Sequence, residues 1–267
     1  MHILSLNAWG GRLHERLIPF LAKTDPDMLC LQEVVHTPQS DRDWLDYRDD
    51  GMDLPQRANL FAETAAALPG HQAFFCSAAR GDLFDGARPV SSQWGLSTHV
   101  RTNLPVIGQV QNFIHGDYAP DGFGAHPRAR NAHGLRLFDH AAGHPVTIVH
   151  LHGLRDPDGK HDTPARQIQA ERLVALIRRI WREGERLVVC GDFNLLPGSE
   201  TFAALAELGL TDLVTSRGHT DTRTSYYEKS PRFADYMLVN EAVTVHDFQV
   251  VPEPEVSDHR ALLLELG

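Results

Sequence analysis

The sequence predicts an α/β protein in which two β-sheets pack together and helices cover their outer faces. Short apolar runs, typical of buried strands, alternate with amphipathic segments along the chain. Hydrophobic residues make up 42% of the 267 residues, which is enough for a large core. Strands mixed with helices in this order favour packed sheets with external helices, because that arrangement buries the apolar face of every element.

The first third of the chain is predicted to alternate strands and helices around one loop. Apolar residues from Leu13 to Leu21 recur at helical spacing, and Asp25-Pro26 interrupts the pattern. Residues 36–55 are polar and carry two prolines, so we expect a surface loop there. The predicted elements are strand 3–8, helix 12–23, strand 28–31, helix 57–68 and strands 72–77 and 94–100.

The rest of the chain is predicted to continue this alternation. Thr163-Pro164 begins the clearest helix, because proline is favoured in a first helical turn. The glycine-rich and proline-rich segment 111–132 is predicted to be a long loop, either a lid, a binding loop or disorder. The predicted elements are a hairpin of 133–139 and 145–151, helix 164–181, strand 187–190, helix 199–208 and strands 235–239, 243–250 and 260–266. With no repeat or low-complexity linker, we expect a single domain over 1–267.

Charge and composition restrict the partners. The formal net charge is −10, whereas proteins that grip long nucleic acid usually carry a basic face, so a small phosphate substrate is favoured. We find neither a stretch of about 18 apolar residues nor a signal peptide, so we expect no membrane span. The three cysteines are widely spaced in apolar runs, which indicates reduced core residues of a cytoplasmic protein, with export by another route left open. We also expect a monomer.

Polar residues at predicted strand ends supply the groups that metal-assisted phosphoryl transfer needs. Glu33, Asn7 and Asp258 offer the oxygen ligands that a hard divalent ion prefers. Asp192 is available to orient and deprotonate a water nucleophile. Asn194 and two histidines could donate to phosphate oxygens, and a second carboxylate, at Asp235, could hold one histidine in orientation.

The order of these motifs resembles the endonuclease/exonuclease/phosphatase family. The motifs are Asn7, Gln32-Glu33, His150-Leu151-His152, Gly191-Asp192-Phe193-Asn194, Asp235-Tyr236 and Ser257-Asp258-His259, which span nearly the whole chain. The resemblance implies a four-layer α/β sandwich of the DNase I type, with two packed mixed sheets flanked by helices. It also implies a Mg²⁺-dependent hydrolase of phosphate esters, with the site in a cleft at one edge of the sheets. Mn²⁺ should substitute for Mg²⁺ because both prefer oxygen ligands.

The family resemblance assigns a role to each matching residue. Glu33 should be the principal metal ligand, with Asn7 and Asp258 beside the ion. Asp192 should orient the attacking water, and Asn194 should position the water and the phosphate. His150 and His259 should bind non-bridging oxygens, and Asp235 should hold His259. His150 is matched to the family histidine because Leu151 follows it.

Further residues are candidates for substrate binding. Strand alternation places His152 on the same face as His150, so His152 is either a substrate ligand or a supporting donor. Arg128, Arg130 and His133 follow the long loop and are candidates for gripping a phosphate, and Tyr226 could line the pocket. Abasic-site endonucleases of the family carry an acidic residue where this chain has Trp9, which argues against that reaction.

Three functional alternatives remain open at this stage. Within phosphate-ester hydrolysis, the runner-up to a small ester is endonuclease or exonuclease action on DNA or RNA. A non-catalytic phosphate-binding module is a weaker alternative, because the complete set of acidic, amide and histidine residues is present. The most distant is a zinc hydrolase using His150, His152 and Asp192, which lacks the usual His or Cys pairing of a dedicated zinc site.

Overall fold

The computed structural model describes residues 1–49 and 51–267, and it confirms the predicted α/β sandwich. The described strands are β1 (His2–Asn7), β2 (Met28–His36), β3 (Trp44–Asp49), β4 (Met52–Arg57), β5 (His71–Asp85), β6 (Arg88–Arg101), β7 (Val106–His115), β8 (Arg130–Asp139), β9 (His144–His152), β10 (Arg186–Asp192), β11 (Thr211–Asp212), β12 (Asp235–Val239), β13 (Val245–Val250) and β14 (Leu262–Leu266). The helices are α1 (His14–Thr24), α2 (Leu60–Ala67), α3 (Pro164–Ile180), α4 (Glu200–Ala206) and α5 (Leu213–Ser216), and a 3₁₀ turn spans Trp9–Gly11. Among these described helices, none has the length and apolar character needed to cross a membrane.

The strands form two mixed sheets. The first has the order β13-β14-β1-β2-β6-β5-β3-β4, and the second has the order β11-β12-β10-β9-β8-β7. Each sheet contains a central parallel pair, β1 with β2 and β9 with β10, among antiparallel neighbours. The two parallel pairs face each other across the sandwich, so the ends of their strands meet at one edge.

Alternation along the strands divides the core into layers. Ile3, Met28 and Cys30 belong to the cluster between the sheets, with residues such as Ile148 and Val188 of the second sheet. Leu4 and Leu6, which alternate with them, pack outward against α1 and α2. Helix α3 covers the other sheet with Leu173, Leu176 and Ile177. Each fully buried aliphatic side chain contributes about 1.5–3 kcal/mol, so these interfaces account for the four-layer arrangement.

Helix α3 begins as predicted, and two predicted loops prove partly wrong. The Thr163 side chain accepts from the backbone N–H of Arg166, and Pro164 lies in the first turn. The predicted surface loop 36–55 contains strand β3 and the start of β4, which form a hairpin at the edge of the first sheet. The predicted loop 111–132 is shortened, because β7 runs to His115 and β8 begins at Arg130. Cross-strand pairing stabilises both segments, and polar composition alone does not reveal it.

The three cysteines are buried and free, as their apolar surroundings predict. They lie on β2, β5 and β10, at Cys30, Cys76 and Cys190. Burial raises the pKa of the Cys76 thiol to about 12, which makes that thiol unreactive at neutral pH. All three therefore behave as core residues.

Candidate active site

The candidate site lies where strand ends of both sheets meet. His152, Asp192 and Asp235 are in register on β9, β10 and β12, so their backbone positions form one row across the second sheet. On the first sheet, Asn7 is the last residue of β1 and pairs with Gln32 on the neighbouring strand β2. Glu33 is the next residue of β2. The Ser257 hydroxyl donates to the Asn7 carbonyl over 2.6 Å, which fixes the C-terminal Ser-Asp-His motif beside β1.

A β-bulge positions Glu33. The register of β2 against β6 shifts between Leu31 and Val34, and Glu33 adopts a φ of +57°. Such bulges redirect a side chain locally, and a left-handed φ is unfavourable for a glutamate. The backbone thus departs from regular strand geometry at the predicted metal ligand.

Asp192 is the most highly connected carboxylate of the site. It is 2% exposed, and its oxygens accept from the Asn7 side-chain amide and from the backbone N–H of Asn194, each over 3.0 Å. His152 Nε2 and His259 Nε2 lie 3.6 and 3.7 Å from Asp192 Oδ2. The preceding Gly191 has a φ of +135°, and a Cβ there would lie 2.1 Å from the Leu151 carbonyl oxygen, so only glycine fits beside β9.

His259 is held between Asp235 and Arg223. Its Nδ1 lies 2.8 Å from Asp235 Oδ2, and its Nε2 accepts a hydrogen bond from the Arg223 guanidinium. Burial lowers the pKa of His259 to about 4, consistent with an imidazole that carries its proton on Nδ1 and a lone pair on Nε2. Arg223 also donates to Asp258 over 2.8 Å and lies above the Tyr227 ring. This arrangement fixes the orientation of the imidazole.

The donor set suits a hard divalent cation. Three ligand atoms from Asp192, Asp235 and His259 lie within 4.8 Å of one another, but Asp235 is directed at His259 Nδ1 and serves to orient that ring. The carboxylate oxygens in the cleft that remain for a cation are those of Glu33 and Asp258, and Asn7 Oδ1 could add a ligand although it already accepts from the backbone N–H of Trp9 over 3.0 Å. Burial is the largest influence on both Glu33 and Asp258 and raises the pKa of each. A bound cation would compensate this buried negative charge, so the residues fit Mg²⁺ or Mn²⁺.

Basic side chains line the cleft beside these carboxylates. Its volume is about 520 Å³, and its basic members are Arg128, Arg130, Arg155, Lys160, Arg166, Arg223 and Lys229. Arg130 is 6% exposed and has no partner for its Nε and one terminal nitrogen among the described residues. Burial lowers its pKa to about 10, so it remains charged at neutral pH. The cleft therefore offers a preformed place for an anionic group.

Of the residues predicted to contact the substrate, His150, His133 and Tyr226 do not line this cleft. His150 and His133 are both 0% exposed, and each donates to or accepts from the Thr98 hydroxyl over 2.7 Å, between the two sheets. Alternation does place His150 and His152 on one face, but only His152 is close enough to the sheet edge to line the cleft. Of the two histidines, His152 and not His150 is therefore placed to contact a substrate in the cleft. For the same reason, His150 is not placed to join His152 and Asp192 in the zinc site considered above.

Aromatic residues are distributed differently from the expectation as well. Tyr226 is 41% exposed and lies in a shallow groove outside the cleft, beside Trp9, whereas its neighbour Tyr227 lines the cleft. Trp94 lies between Arg130 and His152 and also lines the cleft.

Sequence reasoning missed Arg223 and Lys160. Arg223 lies 35 residues before Asp258 in a segment without a recognisable motif, and Lys160 is in the polar loop before α3. The buried Arg166 fixes that loop by donating to the carbonyls of Leu154, Gly159 and Asn194, at distances from 2.8 to 3.3 Å. A run of consecutive basic residues would have been a signal, and neither position has one.

Comparisons with solved structures show the same fold. An endonuclease/exonuclease/phosphatase from Bacteroides vulgatus matches with a TM-score of 0.68 and 18% identity, covering 100% of this chain and 98% of that chain. The mannosyl-6-phosphatase Bt3783 of Bacteroides thetaiotaomicron matches with a TM-score of 0.67 and 15% identity, over 100% and 99%. The human Nocturnin catalytic domain, with bound sulfate, matches with a TM-score of 0.62 and 16% identity, over 100% and 93%.

Comparison of sequences defines the family. No curated protein sequence matches this chain significantly. The model of the Endonuclease/Exonuclease/phosphatase family matches residues 4–259, which include every motif that meets at the cleft. The chain therefore belongs to the Endonuclease/Exonuclease/phosphatase family.

Proposed function

We propose that this protein is a metal-dependent hydrolase of phosphate esters that uses water as the nucleophile. The convergence of Asp192 with His152 and the Asp235–His259 pair, in a cleft lined by basic side chains, is the observation that supports this most directly. Family membership is consistent with the same reaction class. A non-catalytic phosphate-binding module would not need a buried carboxylate beside two positioned histidines.

Asp192 is the proposed general base. Its two oxygens are held by the Asn7 amide and the Asn194 backbone, and each keeps a lone pair for a water molecule. The carboxylate accepts a proton from water as the water oxygen attacks phosphorus. The ester P–O bond breaks opposite to the attacking oxygen, the leaving oxygen takes a proton from solvent water, and Asp192 returns its proton to solvent. Such proton transfer contributes about 10²–10⁴-fold to the rate.

Donors around the cleft bind the non-bridging oxygens. His152 takes the position expected for His150, and Arg223 and Lys160 bring positive charge to the same cleft. Desolvation lowers the pKa of Lys160, and the nearby carboxylates of Asp192 and Asp235 oppose that shift. These donors stabilise the charge that develops on the phosphoryl group.

Glu33, Asn7 and Asp258 would hold Mg²⁺, or Mn²⁺ in its place. When bound, the cation neutralises charge on the phosphoryl oxygens. Asp258 is already linked to the site through Arg223, so the metal side and the phosphate side of the cleft share one hydrogen-bond network.

A small phosphate ester is the preferred substrate class over DNA or RNA. The net charge of −10 opposes a long polyanion, and the positive charge is concentrated inside a cleft of about 520 Å³. The salt dependence of the activity distinguishes the two substrate classes. Affinity for a polynucleotide falls steeply as the salt concentration rises, so its hydrolysis should slow, whereas hydrolysis of a small ester should change little.

Hydrolysis of bis-p-nitrophenyl phosphate and p-nitrophenyl phosphate tests this function. The wild type, Asp192→Asn and the exposed control Asp247→Asn should be compared with Mg²⁺, with Mn²⁺ and with EDTA. We expect metal-dependent release of p-nitrophenol that falls about 10²–10⁴-fold in Asp192→Asn and is retained in Asp247→Asn. A folded Asp192→Asn protein with the wild-type rate would refute the role of this carboxylate.

A further inference from the structure

One side of the cleft is built from apolar side chains. We call this the apolar wall and define it by Val35, Tyr47, Met52, Leu54, Leu83 and Phe123. Val35, Leu83 and Phe123 are nearly buried and belong to one hydrophobic cluster, against which Tyr47 packs. The apolar wall adjoins the phosphate side of the cleft at Trp94, which contacts both His152 and Arg130.

The hairpin of β3 and β4 extends the apolar wall into solvent. Alternation on β4 directs Met52, Leu54 and Gln56 to the cleft. Met52 is 41% exposed, and Leu54 is only partly buried. A strand at the edge of a sheet usually presents charged residues to solvent, so apolar side chains directed into a cleft need an apolar contact.

The apolar wall offers few hydrogen-bonding groups. The Tyr47 hydroxyl already donates to Asp49 over 2.7 Å, and Arg128 and His126 also bind the Asp49 carboxylate. Among the described residues next to the apolar wall, this leaves the amides of Gln56 and Gln93 and the Nε of Arg128, whose guanidinium lies over the rings of Tyr47 and Phe123. A sugar or inositol ring would leave several hydroxyls without partners here, at a substantial desolvation cost.

We infer that the apolar wall is a subsite for the alcohol part of the substrate, and that this part is an alkyl or aryl group. The inference rests on the proposed function, because the reacting phosphate places the alcohol part beside Trp94. The preferred substrates are therefore amphiphilic phosphate esters, with the phosphate at the basic side of the cleft and the apolar group along the β4 hairpin. Sugar phosphates and inositol phosphates are disfavoured.

A series of ethyl, butyl and hexyl monophosphates, followed by release of inorganic phosphate, tests this subsite, because the alkyl chain is then the only group that can occupy the apolar wall. Each added methylene that becomes fully buried raises kcat/KM by up to about fourfold. Because the cleft is open and buries a methylene only in part, we expect about twofold for each one added. We expect kcat/KM to rise by roughly 15-fold from the ethyl to the hexyl ester. Equal kcat/KM values along the series would overturn the subsite.

Variants of the hairpin locate the effect. Leu54→Asn and Met52→Asn should each reduce the hexyl-to-ethyl ratio of kcat/KM several-fold. Met52 is exposed, so its variant tests the subsite even where Leu54→Asn disturbs folding. Ile107→Asn is the matched control, because Ile107 is 46% exposed on the other sheet, and it should keep the wild-type ratio. An unchanged ratio in both hairpin variants would place the apolar group elsewhere.

The same measurements separate the inference from the proposed function. Hydrolysis that needs Asp192 but shows no dependence on chain length overturns the subsite and leaves the function. No metal-dependent hydrolysis of any ester overturns both. Phosphate release from dihexanoylphosphatidic acid monomers alone would support a soluble amphiphile as the source of this chemistry, and release from dioleoylphosphatidic acid vesicles as well would support a membrane lipid.

Discussion

Acid should destabilise this protein through a buried histidine on β6. His99 is 0% exposed, and its Nε2 lies 3.2 Å from the hydroxyl of Thr64 on α2 and 3.2 Å from the hydroxyl of Ser97 on its own strand. Burial, with a smaller contribution from His71, lowers the pKa of His99 from 6.5 to about 3. The folded state therefore excludes a proton that the unfolded chain binds below pH 6.5.

The sign and size of the effect follow from this difference. A lowered histidine pKa gives stability that is fully present above pH 6.5 and is lost as pH falls toward 3. Each pH unit in that window costs about 1.4 kcal/mol of unfolding free energy, so lowering the pH from 7.5 to 5.0 removes about 2 kcal/mol through His99 alone.

Urea unfolding of wild type and His99→Gln at the two pH values isolates this contribution. Glutamine keeps a polar contact but does not titrate, so the variant should lose about 2 kcal/mol less than the wild type on acidification. Other titrating groups act equally on both proteins and cancel in the difference. His144→Gln, at an exposed position, should follow the wild type. Parallel losses in wild type and His99→Gln would show that the buried imidazole is protonated in the folded state, which refutes the reasoning.

Four further predictions concern the site. His152→Asn should lower kcat/KM by at least about 100-fold, whereas His150→Asn should mainly lower the melting temperature; the reverse result would restore His150 as the catalytic histidine. Arg223→Gln should lower kcat and make the rate depend more strongly on pH, because His259 loses the donor to its Nε2; an unchanged pH profile would contradict this. Burial raises the pKa of Glu33, so protons should compete with the metal for its carboxylate as the pH falls toward that raised pKa. The Mg²⁺ concentration for half-maximal activity should then rise with falling pH, and a constant value would argue against Glu33 as a ligand. Arg166→Gln should lower the unfolding free energy by about 3 kcal/mol in a denaturant titration, because several carbonyls lose their donor; a loss under 1 kcal/mol would show that the loop does not depend on it.

The sequence predicts the layers of the fold well, because in these helices and strands the spacing of apolar residues matches the face that is buried. Helix α3 has a cap, a first-turn proline and an apolar face, and the central strands are continuous apolar runs. The hairpin of β3 and β4 gives no such signal, since its stability comes from pairing with β5 at a sheet edge. From its polar composition alone, such a strand is predicted to be a loop.

The candidate site is predictable where a motif and a strand end coincide. Asp192, Asp235 and Glu33 satisfy this condition, and the structure brings them to one edge of the sandwich. His150 was assigned from its neighbour in sequence, but the distance along β9 to the sheet edge decides which histidine reaches the cleft. Arg223 acts through contacts across 35 residues, and such pairing has no local signature.

The bulge at Glu33 affects which substitutions at this position evolution can favour. Holding a glutamate at a φ of +57° costs on the order of 1 kcal/mol, and glycine or asparagine would relieve most of it. Selection for stability alone therefore favours loss of this carboxylate, whereas the proposed role of Glu33 as a metal ligand would favour keeping it. Relatives freed from the reaction should replace Glu33 early and gain stability by doing so, which makes this single position an indicator of whether a family member is still an enzyme.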